Sequence, residues 1–253
     1  MNTLTPAGSW PRAYVLETWI ECLKVWRQPA FLFPTLFFPA LFYLLFGILM
    51  VPRAPGGDAA RYLLATYATF GAIGPALFGF GVGLAEERSN GLFDLRRVSP
   101  APPFAPLLAK AAMAMLFAAT IALLLISLAV GIGGVRAAPS SFLALIVTLM
   151  LGTLPFAALG MGIGCLVRAQ AASALVQLIY LPLGFLGGLW MPVFMLPTLM
   201  QSLAACLPSF HLGQLSLWAL GVQPGLPTHS ALAMLGFTAI FSLFAAWAWR
   251  RAR

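Results

Sequence analysis

Long apolar runs alternate with short polar breaks along almost the whole chain. A helix needs roughly 20 apolar residues to cross the hydrocarbon layer of a bilayer. Six runs meet that length, at about 29–51, 62–84, 111–133, 142–166, 171–190 and 230–249. The pattern predicts six transmembrane helices. The segment ahead of the first run differs. Over 10–28, Tyr14, Val15, Trp19, Cys22, Leu23 and Trp26 fall near one helical face, and Arg12, Glu17, Glu21, Lys24 and Arg27 lie mostly on the other. This division predicts an amphipathic helix on the membrane surface, with Trp at headgroup level.

The stretch 191–229 is uncharged but broken by Pro192, Pro197, Pro208, Pro224 and Pro227. A seventh span there would carry the Arg250-Arg251-Arg253 tail to the far side. A short re-entrant helical hairpin between the fifth and sixth spans fits better, because irregular backbone at membrane depth is tolerated only where protein or a cavity covers it. The predicted fold class is therefore an all-α integral membrane protein: a single domain over 1–253 with six spans, an N-terminal interface helix and an outer re-entrant region at 191–229.

Composition agrees. Of 253 residues, 61% are hydrophobic and 8% charged, far below the quarter or so that a soluble domain carries. A net charge of +8 in a soluble protein would suggest nucleic acid; here basic residues beside spans set topology. With the N-terminus inside, Arg12, Lys24, Arg27, Arg88, Arg96, Arg97, Lys110, Arg168, Arg250, Arg251 and Arg253 are cytoplasmic, and Arg53, Arg61 and Arg136 are outside. The expected setting is a bacterial cell membrane, crossed several times, with both termini cytoplasmic. The first 28 residues are too polar to read as a cleavable signal.

One charged island interrupts the oil. Residues 86–97 hold Glu86, Glu87, Arg88, Asp94, Arg96 and Arg97, six of the twenty charges. Lying between two spans, the island is a cytoplasmic docking surface. The rest of the chain offers little chemistry. A phosphate-binding loop needs Gly-Lys-Ser/Thr, but Lys24 follows Leu23 and Lys110 follows Ala109. Proton-coupled transporters keep an ionisable group within the membrane, whereas all six acids fall outside the spans or at their ends. His211 and His229 lie in the proline-rich region. Cys22, Cys165 and Cys206 lack metal-ligand spacing, and no serine has a nearby His–acid pair. No catalytic residue, metal or cofactor is expected, so energy for uphill transport must come from another polypeptide. An ATPase-independent secondary transporter or channel, or a membrane scaffold docking a non-ATPase partner, remain alternative readings.

Three segments resemble the ABC-2 type transporter permeases, the membrane subunits of type V ABC exporters. Glu87-Arg88-Ser89-Asn90-Gly91-Leu92-Phe93-Asp94-Leu95, then Ser99-Pro100 and Lys110, is similar to the family's coupling segment, with Ser89 and Leu92 as departures. Trp26-Arg27-Gln28-Pro29 followed by Pro39 resembles its approach to the first span. Gly187-Gly188-Leu189-Trp190-Met191-Pro192 through Leu196-Pro197 to Pro208 resembles its outer hairpin. The resemblance implies ATPase coupling through Glu87, Arg88, Gly91, Leu92, Asp94, Leu95, Ser99 and Pro100 within 85–106, and an interface helix acting through Trp19, Glu21, Lys24 and Arg27. It implies two cytoplasmic ABC ATPase subunits carrying ATP and Mg, a second permease subunit, identical or not, and export. The apolar, aromatic spans point to an amphiphilic or hydrophobic solute such as a drug, lipid-like molecule or secondary metabolite. Phe37, Phe38 and Phe42 are candidates for its path, lipid-facing packing being the alternative. Gly79/Gly83, Gly160/Gly164 and Gly184/Gly188 have the small-xxx-small spacing of close helix contacts.

Overall fold

A computed structural model describes residues 10–50, 58–92 and 105–252. Helix α1 is Trp10–Trp26 and α2 is Pro29–Phe42, which continues as a π-helical stretch, Tyr43–Leu49. Helices α3, Asp58–Ser89, and α4, Ala105–Gly131, follow. Then come α5, Pro139–Gly152, α6, Leu154–Leu166, and α7, Ala169–Leu186. Two short helices, α8 Thr198–Ala204 and α9 Pro208–Ala219, precede α10, Thr228–Ala252. The described residues contain no strand.

Six stretches are long and apolar enough to cross a membrane: Phe31–Leu49, Asp58–Ser89, Ala105–Gly131, Pro139–Leu166, Ala169–Leu186 and Thr228–Arg251. Each coincides with one of the six expected runs. The second extends beyond the expected 62–84 at both ends, because the charged residues that close it find partners in the protein and do not break the helix. It is also the axis of the bundle: 78% of its most apolar window is buried, against 17% for the first and sixth spans.

Glycine sets the seam between α3 and α6. A Cβ on Gly164 would lie 2.6 Å from the Phe80 carbonyl oxygen, and one on Gly160 would lie 2.9 Å from that of Leu77. Only a residue without a side chain lets the two backbones approach this closely. Gly162 faces the other way, where a Cβ would meet the Phe244 ring of α10 at 2.2 Å. Helix α6 is thus wedged between α3 and α10. The other glycine pairs behave differently. Gly184 packs against the Phe70 ring, but its partner Gly188 has φ +72 and forms the turn after α7. Gly79 and Gly83 face α4 more loosely, with only Met113 Cε and Lys110 Nζ near a Cβ.

The fourth span is two helices, α5 and α6, meeting at Thr153. Pro155 cannot donate a backbone hydrogen bond, so a continuous helix loses a rung there. Leu212 of α9 fills the junction, its Cδ1 2.1 Å from where a Cβ on Gly152 would be. At 12 residues α9 is about 18 Å long, too short to span the hydrocarbon layer. It is nevertheless largely buried against α3, α5 and α10. Its hydroxyls are satisfied: Ser209 Oγ donates to the Leu183 carbonyl at 2.7 Å, and Thr69 Oγ1 of α3 lies 2.8 Å from Ser216 Oγ, which donates to the Leu212 carbonyl.

Helix α1 divides into two faces, but its polar face does not look outward. Glu21 and Val25 are buried, and Tyr14, Glu17, Thr18 and Lys24 are half-buried on that same side. Val15, Leu16, Trp19, Ile20 and Trp26 are exposed, together with Arg12 and Arg27. In the expected division Glu21 belonged to a charged face opposite the tryptophans, with Arg12 and Arg27 beside it and Tyr14 on the tryptophan side. The structure turns Glu21 and Lys24 onto α3 and α4, leaves Arg12 and Arg27 exposed with the tryptophans, and half-buries Tyr14 on the inner side.

A buried charge quartet below an aromatic groove

The reason α1 turns its acid inward lies at the junction of α1, α3 and α4. Glu21 of α1, Glu87 near the end of α3 and Lys110 in the second turn of α4 are all buried, and Lys24 of α1 closes the ring. Lys110 Nζ lies 2.7 Å from Glu21 Oε2 and 2.9 Å from Glu87 Oε1. Lys24 Nζ lies 2.7 Å from Glu21 Oε1 and 2.9 Å from Glu87 Oε1. Two lysines and two glutamates alternate, so among the described residues the charges balance, and each ammonium donates to two carboxylates.

Burial decides what this arrangement is worth. The Lys110 side chain is 3% exposed and that of Glu21 2%, whereas Lys24 is 39% exposed. A buried ion pair gains little over an apolar substitute of similar shape, but removing one partner strands a charge and costs roughly 3–5 kcal/mol. Lys110 is therefore the central member and Lys24 the peripheral one. Burial disfavours the charge on Lys24, but the hydrogen bonds it donates to Glu21 and Glu87 and their negative charges outweigh that and raise its pKa.

Neighbouring residues extend the junction. Arg88 Nη2 donates to the Val167 carbonyl at 3.0 Å, tying the end of α3 to the end of α6. Gly91 adopts φ +72, the left-handed turn by which the chain leaves α3, and Leu92 is half-buried after it. Asp94, Leu95, Ser99 and Pro100 lie outside the described residues. Of the residues expected on the interface helix, Glu21 and Lys24 enter the quartet, while Trp19 and Arg27 are exposed.

Above the quartet runs a groove of about 1070 Å³ between α2, α3 and α7. All four quartet residues line it. Farther along, successive turns of α7 present Ser173, Gln177 and Tyr180. At the distal end stand Phe42, Phe70 and Trp190. The Tyr180 ring stacks on Phe70 at 4.6 Å, and its hydroxyl donates to the Phe70 carbonyl at 3.0 Å. Trp190 meets Phe70 edge-on at 5.4 Å. Its indole Nε1 is buried without a hydrogen-bond acceptor. Of the three candidates for a solute path, Phe38 and Phe42 line the groove, whereas Phe37 is exposed outside it. Sequence reasoning did not find Tyr180, Gln177 or Trp190 as wall residues. A lone polar group in an apolar run was their only signal.

A bundle of six spans, with a charge-locked junction at one end and a polar-to-aromatic groove above it, defines a multi-pass membrane protein. Residues 52–248 match the family model described as ABC-2 family transporter protein. The chain belongs to that family. It is also 29% identical over 227 residues to a Bacillus subtilis (strain 168) protein named "Putative transport permease YvfS", covering 88% of this chain and 91% of that one. The chain is accordingly a membrane permease of an ABC transporter, and membership of the family implies an ABC ATPase subunit as its partner.

Proposed function

We propose that this permease exports an amphiphilic or hydrophobic solute, driven by ATP hydrolysed on two copies of a separate cytoplasmic ATPase, and that it works beside a second permease subunit. In this reading the quartet end faces the cytoplasm, both termini lie there, and α8 and α9 form a re-entrant hairpin on the outer side. The observation that carries the reading is shared membership. Glu21, Lys24, Glu87 and Lys110 hold α1, α3 and α4 together and also form the base of the groove. A push delivered to α1, or to the charged segment that follows Gly91, cannot shift these helices without reshaping the groove. Its polarity suits an amphiphile, with ionic and amide groups near the base and aromatic rings at the far end.

The test is transport in vesicles holding the permease and its ATPase, with fluorescent amphiphiles as cargo. Glu87→Gln is expected to leave ATP hydrolysis measurable while reducing ATP-dependent transport about tenfold, since a charge-assisted contact is worth on the order of a tenfold factor. Phe42→Ala is expected to alter cargo preference and Phe37→Ala to leave it unchanged. Uphill transport by the permease alone, without ATPase or ATP, would overturn the proposal.

A further inference from the structure

At the end of the bundle opposite the quartet, a second cavity of about 460 Å³ opens where three segments converge. Arg61 from the first turns of α3, Arg136 to Ala138 with Ser141 around the start of α5, and Leu220-Gly221 after α9 line it. Two guanidinium-bearing residues thus share one small cavity, and no acid lines it among the described residues. Arg61 is already aimed by its neighbours. Nη2 donates to the Arg136 carbonyl, and Nη1 lies 3.8 Å from Asp58, whose side chain is 85% exposed and so neutralises little. The Nε of Arg61 is buried and has no acceptor. Arg136 uses only its backbone carbonyl in this arrangement, and its side chain is exposed. The start of α5 adds no competing acceptor, because its N-cap is Ala138 and no side chain caps the helix.

From these observations we infer that the cavity is a binding site for a phosphate group. Two guanidinium-bearing residues on one cavity favour an anion over water, and the planar fork of arginine matches phosphate oxygens two at a time. Both arginines sit at the ends of spans, the depth at which lipid headgroups lie. The phosphate therefore comes either from a lipid headgroup or from a free anion in the adjacent aqueous phase. The site is separate from the groove and does not depend on what the groove carries.

The test uses the purified full chain in a neutral detergent. One arm titrates dihexanoyl phosphatidylglycerol and the other inorganic phosphate, with sodium chloride as the ionic-strength control. Native mass spectrometry and equilibrium dialysis read the binding. Saturable binding of one equivalent in either arm is expected, the lipid arm alone pointing to a headgroup and the phosphate arm to a free anion. Arg136→Gln leaves the carbonyl that holds Arg61 in place and is expected to weaken binding about tenfold. Arg61→Lys retains the charge but loses the fork, and should weaken it by a smaller factor. No saturable binding in either arm, or equal affinity for the wild type and both variants, overturns the proposal.

Discussion

The two ends of this bundle are held together by opposite means. At the α1 end, three helices meet through a ring of two lysines and two glutamates. At the other end, α9 is fixed by hydroxyls on backbone carbonyls, by its own His211 against Ser230 and the Ala205 carbonyl, and by glycine-permitted contacts, with no ion pair among the described residues of α9. The difference is one of tolerance. A hydrogen-bonded, close-packed end loses about 0.5–1.5 kcal/mol per bond removed. An ionic junction fails in larger steps, because each deletion leaves a charge without its counter-ion in a low-dielectric setting. The end that carries the ring is also the end at which α3 closes at the Gly91 turn. In the proposed function that end receives force from the ATPase and the α9 end is the anchor.

Breaking the ionic end should have the largest effect. Lys110→Met takes from Glu21 and Glu87 the buried counter-ion they share, and is expected to cost roughly 3–5 kcal/mol. The measurement is the unfolding midpoint of the detergent-solubilised permease. Adding Glu21→Gln to Lys110→Met restores charge balance and should recover a large part of the loss. If the double variant is as unstable as the sum of the two singles, the ring does not act as a unit.

The fold was legible to the extent that it rests on local composition. Six hydropathic runs became six spans because no other structure hides some 20 apolar residues in lipid. The quartet was legible only in pieces. Glu21, Lys24 and Glu87 could each be singled out, and Lys110 as part of a motif. Their meeting spans 63 residues between Lys24 and Glu87 and 89 between Glu21 and Lys110, and no periodicity encodes a pairing at that range. The inward turn of the charged face of α1 follows from the same pairing. Gly160 and Gly164 were readable as a contact face, but Gly188 shares their spacing and serves a turn, since spacing alone does not distinguish packing from positive φ.

Between the two ends, the glycine seam gives an intermediate effect. Gly164→Val would place side-chain atoms against the carbonyl oxygens of Phe80 and Gly81, so α3 and α6 must separate. Overpacking of this kind costs about 1–3 kcal/mol. Gly236 on α10 is the matched control, with nothing within 4 Å of a Cβ, and Gly236→Ala should be neutral or slightly stabilising through helix propensity. Equal unfolding midpoints for the two variants would mean that the seam does not limit stability.

The smallest expected effect lies at the α9 end and depends on pH. His211 Nδ1 lies 3.2 Å from Ser230 Oγ and Nε2 lies 3.0 Å from the Ala205 carbonyl. A neutral ring satisfies both, with Nε2–H donating to the carbonyl and Nδ1 accepting from the hydroxyl. Burial lowers its pKa below the ordinary 6.5, the bond to Ala205 opposes that, and the neighbouring His229 lowers it further. Between the lowered value and 6.5 the unfolded chain binds more protons than the folded one, so stability is full above pH 6.5 and falls as the solution is acidified through that window. Protonation also forces Nδ1 to donate, and Ser230 Oγ must then turn from donor to acceptor. A fall of about 2 °C in the unfolding midpoint on going from pH 7.5 to 5.5 is the scale to look for, reduced in His211→Gln. Lys24 should contribute nothing in this window, because its raised pKa lies above the ordinary 10.5. An acid-induced loss of the same size in His211→Gln would move the sensitivity away from this histidine.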